Sequence, residues 1–329
     1  MPIENSGKGQ LWGIVLAAGE GNRINQFIRY WYGVHSPKQY VAFTGKRSML
    51  QHTLNRVEKL IPPERTLTVV NPSHIREIKT QLADRPQNTI IYQPYNRETA
   101  PGVLLPLIYI FKRDPEARVA IFPSDHFIME EDRFMNYIEF GDKVVRNFAN
   151  QIVLLGIQPE APEVDYGWIE PAETIYAEDG TEVRRVGRFL EKPDPESALR
   201  LFKKGCLWNT FVSITKASTL IEMTEKYLPQ IWSRFERMLS AIGTFRELSI
   251  IEREYREMEP VTLSRGIFER NLSNVATLEV QNVFWSDWGS GDRVLDTLNR
   301  VGKRPVRLMG KGRGWAEQRP YAAAAHDFL

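Results

Sequence analysis

The stretch Arg118-Val119-Ala120-Ile121-Phe122-Pro123-Ser124-Asp125-His126 carries the clearest fold signal in the sequence. Residues 119–122 form a continuous apolar run, typical of a strand buried on both faces, and Pro123 ends it because proline cannot donate to a sheet ladder. Asp125 therefore follows the carboxyl end of a strand, the edge at which open parallel sheets bind ligands. A carboxylate there indicates a cation site. The alternative is that Ser124 or Asp125 only caps a following helix.

The surrounding pattern alternates apolar strands with amphipathic helices. It predicts strands at 12–17, 67–70, 89–92, 152–157 and 275–280 and helices at 48–57, 75–82, about 102–111, 218–227, 231–241 and 245–258. Between 165 and 214 the pieces are short and β-like, without long helices between them. We therefore expect an α/β fold with a Rossmann-like mixed, mainly parallel sheet, helices on both faces and a smaller β-rich extension.

Composition narrows the class of protein. The chain has 329 residues, 42% of them hydrophobic, and a formal charge of +2, which gives no reason to expect a nucleic-acid or membrane partner. The single cysteine, Cys206, excludes an internal disulfide, fits a reducing cytoplasm and is expected to be a small buried hydrophobe. The first ten residues are polar, and no run approaches the roughly 18 apolar residues of a membrane span. We expect a cytoplasmic protein, and a homodimer is left open.

A glycine turn follows the first strand as Ala18-Gly19-Glu20-Gly21-Asn22-Arg23. Small residues there let the backbone approach a phosphate. A dinucleotide-binding fold would need a third glycine and an acidic residue after the second strand, but that strand ends in Asn71. Arg23 and Lys38 instead suit a polyphosphate, although each of these cations could equally be a solvated surface residue.

Two further segments place charged residues after short strands. In Glu191-Lys192-Pro193-Asp194-Pro195, Asp194 is expected to cap a helix that Pro195 starts, which leaves Lys192 unexplained. Asp287 also precedes a helix, but Ser290 or Asp292 is better placed to cap it.

The segment 24–35 contains Phe27, Tyr30, Trp31 and Tyr32. A segment this aromatic is either packed against the body of the protein or a lid over a ligand, and packing is favoured.

Six segments, in order, resemble the sugar-1-phosphate nucleotidyltransferases, most closely the mannose-1-phosphate guanylyltransferases. They are Leu16-Ala17-Ala18-Gly19-Glu20-Gly21-Asn22-Arg23, Pro37-Lys38-Gln39, Phe122-Pro123-Ser124-Asp125-His126, Tyr166-Gly167-Trp168-Ile169, Phe189-Leu190-Glu191-Lys192-Pro193 and Trp285-Ser286-Asp287-Trp288-Gly289-Ser290. The resemblance covers about 12–301. It implies a nucleotide-diphospho-sugar transferase fold over 1–302, with a nucleotide-binding half (12–150), a sugar-phosphate-binding half (151–302) and then a basic tail (303–329).

The resemblance also implies an activity: a nucleotidyl group passes from a nucleoside triphosphate, GTP by preference, to a sugar 1-phosphate, mannose 1-phosphate by preference. Asp125 and Asp287 would hold Mg²⁺, which prefers oxygen ligands. Arg23, Lys38 and Lys192 would be the catalytic cations, with Lys192 on the sugar phosphate. The nucleotide would contact Leu16, Ala17, Ala18, Gly19, Gly21, Arg23, Thr99, Ala100 and Ser124. The sugar phosphate would be bound by Gly167, Glu191, Lys192 and Asn209, with Lys192 on the phosphate and Gly167, Glu191 and Asn209 on the sugar hydroxyls.

The sequence departs from the family pattern at several positions. Asn22 stands where threonine is usual, and Glu98 where the guanylyltransferases have asparagine, so the base stays open. Thr210-Phe211 replaces Ser-Gly, and Leu263-Ser264-Arg265 replaces a Ser-Ile-Asp stretch, so the sugar stays open. We expect no isomerase domain and no complete left-handed β-helix after 301.

Three other functions compete with this interpretation. A nucleotidyltransferase for another base or sugar is the nearest. A catalytically silent subunit that binds a nucleotide sugar would be expected to lose a metal carboxylate or a phosphate cation, and none is missing here. A glycosyltransferase often carries Asp-x-Asp after a central strand, but Asp125-His126-Phe127 lacks the second acid.

Overall fold

The computed structural model describes residues 9–303. The predicted tail 303–329 therefore lies, apart from Lys303, outside the described residues. The strands are β1 (Leu11–Ala17), β2 (Thr66–Val70), β3 (Ile90–Tyr92), β4 (Arg118–Pro123), β5 (Phe127–Ile128), β6 (Ile152–Ile157), β7 (Gly167–Glu178), β8 (Thr181–Glu191), β9 (Leu207–Lys216), β10 (Val275–Val280) and β11 (Trp285–Ser286). The helices are α1 (Asn25–Tyr32), α2 (Met49–Val57), α3 (Ile75–Gln81), α4 (Thr99–Arg113), α5 (Glu131–Asn147), α6 (Pro195–Lys203), α7 (Ala217–Tyr227), α8 (Pro229–Ala241), α9 (Glu247–Arg256) and α10 (Gly291–Arg300).

Nine strands form one sheet in the order β3-β2-β1-β4-β9-β6-β10-β8-β7. The first four strands are parallel, as is the pair β6 and β10. The expected α/β fold and mixed sheet are confirmed. The sheet was also expected to be mainly parallel, but its parallel part is largely the N-terminal core. β9 runs antiparallel to both β4 and β6, and β7 and β8 form a long antiparallel hairpin. An apolar run indicates that both faces of a strand are buried but does not indicate the direction of the strand. The sequence therefore could not predict that these strands are antiparallel.

Helices cover both faces of this sheet, as expected. One apolar cluster joins the sheet to α2, α3, α5 and α6, and the other joins it to α4, α7, α8 and α9. Neighbouring residues of β4 belong to different clusters, Ile121 to the second and Phe122 to the first, because alternate side chains of a strand point to opposite faces. β4 is therefore one of the strands that contribute to both layers of the core.

The short strands β5 and β11 form a separate two-stranded sheet that the sequence did not predict. Ser286 pairs with Phe127 and Trp285 with Ile128. β5 separates Asp125 from α5, which begins at Glu131, so neither Ser124 nor Asp125 caps a helix. Ser290 caps α10 by accepting a hydrogen bond from the Arg293 amide, as expected. The capping alternatives for both aspartates are therefore removed.

The aromatic segment after the glycine turn forms α1 and is packed. Phe27 and Ile28 are buried in a third apolar cluster with Phe43 and Trp288. The Phe43 and Trp288 rings meet edge to face at 4.8 Å. The preference for packing over a lid is confirmed, and α1 supports the loop that carries Asp287.

Two further observations concern the single cysteine and the length of the helices. Cys206 is buried, and burial raises the pKa of its thiol. Within 9–303, no helix is both long and apolar enough to cross a membrane.

We expect Ile121→Ala to destabilise the fold strongly. Ile121 is 1% exposed, and truncating such a side chain leaves a cavity that costs about 2–5 kcal/mol of unfolding free energy. Urea denaturation followed by tryptophan fluorescence measures this loss. The control Leu248→Ala removes a side chain that is 79% exposed and should change stability by less than about 0.5 kcal/mol. Equal midpoints for both variants would contradict the packing described for β4.

Candidate active site

A cavity of about 380 Å³ opens at the carboxyl ends of β1 and β4, where the parallel strands were expected to bind a ligand. Most of the predicted site residues line it. They are Leu16, Ala18, Gly19, Arg23, Thr99, Ser124, Asp125, Gly167, Glu191, Lys192, Asn209 and Asp287. Residues from both predicted halves of the chain thus share one cavity.

Asp125 and Asp287 are connected through one buried lysine. Lys38 is 4% exposed, and its Nζ lies 2.8 Å from Asp125 Oδ2. The same Nζ donates to the backbone carbonyl of Asp287 at 2.5 Å and reaches the Trp288 carbonyl at 3.4 Å. Lys38 was predicted to bind phosphate, but here it is held beneath the cavity floor by these contacts.

The Asp287 carboxylate is held at one oxygen. Its Oδ1 accepts from Tyr166 Oη at 2.8 Å, from the Gly289 amide at 2.8 Å and from Arg293 Nη1 at 3.1 Å. The Arg293 guanidinium also lies over the Tyr166 ring, 4.5 Å from its centroid. Oδ2 has the Arg23 guanidinium as a charged neighbour at 3.7 Å. This second oxygen is the one left for a ligand.

The charges of the two acids are stabilised by these cations. Burial opposes the charge of Asp125, but the Lys38 ammonium, with a smaller contribution from His126, lowers the pKa of Asp125. Burial likewise opposes the charge of Asp287, and Arg293 followed by Lys38 lowers its pKa. Burial lowers the pKa of His126 to about 4, so this imidazole is neutral near pH 7. Its Nδ1 accepts from Trp285 Nε1 at 3.2 Å, which fixes the ring beside Asp125.

The donor set suits a hard divalent cation bound together with a substrate. Within 9–303, no group of three or more His, Cys, Asp and Glu side chains is arranged to hold a metal ion. Mg²⁺ does not need such a group, because it commonly binds one or two carboxylates plus waters and substrate phosphates. Asp125 and Asp287 fit that pattern. The Lys38 ammonium bonds to the Asp125 carboxylate but only to the backbone carbonyl of Asp287, so a cation shared by the two carboxylates stays a prediction.

The glycine turn is held by the segment that carries Lys38. Gly21 has a left-handed φ of 62°, and a Cβ there would lie 2.8 Å from the Lys38 amide nitrogen. Gln39 Nε2 donates to the carbonyls of Ala17 at 3.0 Å and Gly19 at 2.6 Å. Gly21 therefore allows a close approach to protein backbone. Arg23, with its side chain 62% exposed, is the solvent-exposed cation of this turn.

Several predicted nucleotide contacts are engaged within the protein. Ser124 Oγ donates to the Leu16 carbonyl at 2.6 Å, and the Ala100 amide donates to the Val261 carbonyl at 3.0 Å. Thr99 Oγ1 accepts from the Leu263 amide at 2.9 Å. Four predicted residues are not among those that line the cavity, namely Ala17, Gly21, Lys38 and Ala100. Their assignments stay predictions.

The predicted sugar-phosphate residues also line this cavity. A Cβ on Gly167 would lie 2.8 Å from Glu191 Oε2, so a larger residue there would displace the Glu191 carboxylate. Burial raises the pKa of Glu191, whose carboxylate also bonds with Ser264. Lys192 has a left-handed φ of 51° and its amide donates to the Tyr166 carbonyl at 3.1 Å. Among the described residues no carboxylate lies within 4.0 Å of the Lys192 ammonium, which leaves its charge for an anion.

A larger cavity, about 1040 Å³, lies beyond Trp285 and is less suited to chemistry. Arg293 and Arg300 line it, but their guanidinium groups are paired with Glu163 and Glu160. The smaller cavity combines the two predicted metal-binding aspartates with Arg23, which lies 3.7 Å from Asp287 Oδ2, and with Lys192.

Sequence reasoning missed the residues that position the acids. Tyr166 lies in a quoted segment, but its bond to Asp287 needs the folded structure to be seen. Gln39 is next to Lys38 and was given no role. Arg293 had no signal, because it follows a helix cap in an ordinary amphipathic helix.

A family model described as Nucleotidyl transferase matches residues 12–304. A mannose-1-phosphate guanylyltransferase from Salmonella typhimurium is 27% identical over 299 residues, which cover 89% of this chain and 60% of the relative. A mannose-1-phosphate guanylyltransferase from Escherichia coli K12 is 28% identical over 288 residues, covering 85% and 58%. The chain thus spans about three-fifths of the length of the curated relatives it matches.

A solved structure shares the fold. It is described as mannose-1-phosphate geranyltransferase from Thermus thermophilus and aligns with a TM-score of 0.74 at 24% identity, covering 89% of this chain and 79% of that chain. At this identity the likeness concerns the fold alone. The match of the family model over nearly all of residues 9–303, on the strands and loops that carry both aspartates, shows that this chain belongs to the nucleotidyl transferase family.

Proposed function

We propose that this protein transfers a nucleotidyl group from a nucleoside triphosphate to a sugar 1-phosphate and releases pyrophosphate. GTP and mannose 1-phosphate are the first candidates, because the curated relatives named above are mannose-1-phosphate guanylyltransferases. The nucleotide would lie in the half formed by 12–150 and the sugar phosphate in the half formed by 151–302. A cytoplasmic location belongs to the same proposal.

One observation carries the proposal. Asp125 and Asp287, far apart in sequence, line one cavity together with Lys192, whose ammonium has no carboxylate within 4.0 Å among residues 9–303. Two acids and such a cation in one cavity suit two phosphate-bearing substrates that must approach each other. A protein that only bound a nucleotide sugar would not need both acids.

The chemistry asks for positioning and charge neutralisation. A sugar-phosphate oxygen, already an anion, attacks the α-phosphorus of the triphosphate, and pyrophosphate leaves from the opposite side. Lys192 would hold the sugar phosphate, while Arg23 would hold the phosphates that leave. Mg²⁺ bound by Asp125 and Asp287 would neutralise phosphate charge as a Lewis acid. No side chain has to remove a proton, and His126 with its pKa near 4 is already neutral and serves as a partner of Trp285.

The departures from the family pattern concern the identity of the base and of the sugar. Glu98 and Asn22 differ from the family pattern near the nucleotide, and Glu98 lines the cavity. A nucleotidyltransferase for another base or sugar is therefore the second candidate, and a silent binding subunit is the third.

A substrate matrix tests the proposal. Four nucleoside triphosphates are each combined with a panel of hexose 1-phosphates and Mg²⁺, and pyrophosphate release is measured. We expect release with GTP and mannose 1-phosphate to exceed that of the other pairs. Another preferred pair would correct the base or the sugar, whereas no release from any pair, together with thermal stabilisation by a nucleotide sugar, would favour the binding subunit.

Asp125→Asn and Asp287→Asn should each lower metal-dependent turnover by about 10²–10³-fold, because each removes a charge that holds the cation. The fold should survive, since an amide oxygen at 125 can still accept from Lys38. Asp132→Asn is the matched control, because Asp132 also pairs with a lysine, Lys59 at 2.8 Å, but is 90% exposed and far from the cavity. Steady-state rates measured over a Mg²⁺ titration test this loss of turnover, and full activity in Asp125→Asn would refute the metal role of Asp125.

Lys192→Ala should weaken the sugar substrate selectively. We expect the KM for the sugar 1-phosphate to rise at least about tenfold, the equivalent of roughly 1.4 kcal/mol, with a much smaller change for the triphosphate. Lys203→Ala, at an exposed lysine on α6, is the control. An equal rise for both substrates would contradict the assignment of Lys192 to the sugar phosphate.

A further inference from the structure

Strand β9 is irregular where it borders the cavity. Against β6, Ser213 pairs with Leu154 and Asn209 pairs with Gly156, so a two-residue step on β6 faces a four-residue step on β9. The extra residues form a bulge with Phe211 at its centre. Bulges are frequent beside active sites, where they redirect a side chain.

Phe211 holds a backbone conformation that favours glycine. Its φ is 65°, in the left-handed region, which is uncommon for a bulky residue. The flanking side chains secure the bulge. The Phe211 amide donates to Asn209 Oδ1 at 3.1 Å, while Thr210 Oγ1 donates to the Leu155 carbonyl at 2.8 Å and accepts from the Val212 amide at 3.3 Å. The chain thus maintains an unfavourable backbone angle at a position that carries an aromatic ring.

The bulge brings Phe211 to the cavity. Thr210 is fully buried, whereas Phe211 and Asn209 both line the cavity together with Glu191 and Ser264. The partly buried ring therefore adds an apolar surface beside the two polar residues predicted to contact sugar hydroxyls. A glycine would satisfy the same backbone angle without filling this space.

We propose that Phe211 determines sugar specificity by restricting this side of the cavity to hexose 1-phosphates that carry hydroxyl groups and excluding those that carry an acetamido group. The inference rests on the proposed function. The physical reason is steric, because the hydrogen bonds of Asn209 and Thr210 fix the backbone at Phe211, and the ring attached there fills space that an acetamido group would need. Apolar ring surface can at the same time cover the C–H face of a pyranose.

Phe211→Gly and Phe211→Ala test the proposal. Both remove the ring, but glycine relieves the backbone strain and alanine keeps it, so a shared effect is due to the lost ring. We expect the ratio of kcat/KM for N-acetylglucosamine 1-phosphate to that for the preferred plain hexose 1-phosphate to rise at least about tenfold in both variants. Asp179→Gly is the control, because Asp179 has a similar φ of 49° in an exposed turn away from the cavity. Its ratio should match that of the wild type.

The outcomes separate this inference from the proposed function. If the wild type transfers a nucleotidyl group and neither Phe211 variant broadens its sugar range, the role of Phe211 is overturned. If the wild type shows no transfer with any pair, the proposed function fails. Phe211 is then judged by thermal shifts with the two sugar phosphates: stabilisation of the variants alone by N-acetylglucosamine 1-phosphate supports its role, and unchanged selectivity overturns it.

Discussion

The site depends on the Lys38 ammonium, which joins the Asp125 carboxylate to the backbone of Asp287. Two carboxylates at one cavity repel each other and lose hydration, so they can both stay charged only with cations close by. Lys38 meets this need for Asp125 at 2.8 Å, and Arg293 meets it for Asp287 at 3.1 Å. The pairing of β5 with β11 supplies the backbone frame, because one strand follows Asp125 and the other precedes Asp287.

The fold could be read from the sequence where local pattern determines structure. The β4 run, Pro123 at its end and the Ser290 cap all report on their nearest neighbours, and the structure agrees with each. The antiparallel direction of β9 and the β5–β11 pair could not be read in this way. Both depend on contacts between segments far apart in the chain, and two-residue strands carry no periodicity.

The residues of the candidate site can likewise be separated into those that local sequence patterns indicated and those that they did not. Asp125 and Asp287 were found because each follows a strand, and the resemblance to a family paired them. Arg293 and Tyr166, which hold Asp287, were missed because ion pairs and hydrogen bonds across the fold leave no trace in spacing. The left-handed angle of Phe211 was equally invisible, although the sequence did show that a residue other than glycine stands there.

Three residues that line the cavity have a strained backbone. Among residues 9–303, the non-glycine residues with positive φ include Glu98, Lys192 and Phe211, and all three line it. Each left-handed non-glycine residue costs about 1–2 kcal/mol, so each needs support from its surroundings. In two cases the amide donates to the side-chain oxygen of an asparagine two residues earlier, Asn96 for Glu98 and Asn209 for Phe211. The Lys192 amide instead donates to the backbone carbonyl of Tyr166.

The contacts of Lys38 bear on two assignments, the metal role of Asp125 and the phosphate role of Lys38. Lys38 was predicted to bind phosphate, yet its ammonium is 2.8 Å from Asp125 Oδ2 and so is already neutralised. Any cation that binds Asp125 must compete with Lys38 for that carboxylate. If a cation took up the charge of Asp125, the ammonium would keep, among residues 9–303, its contacts with the backbone carbonyls of Asp287 and Trp288. The predicted metal role of Asp125 and the predicted phosphate role of Lys38 are therefore compatible.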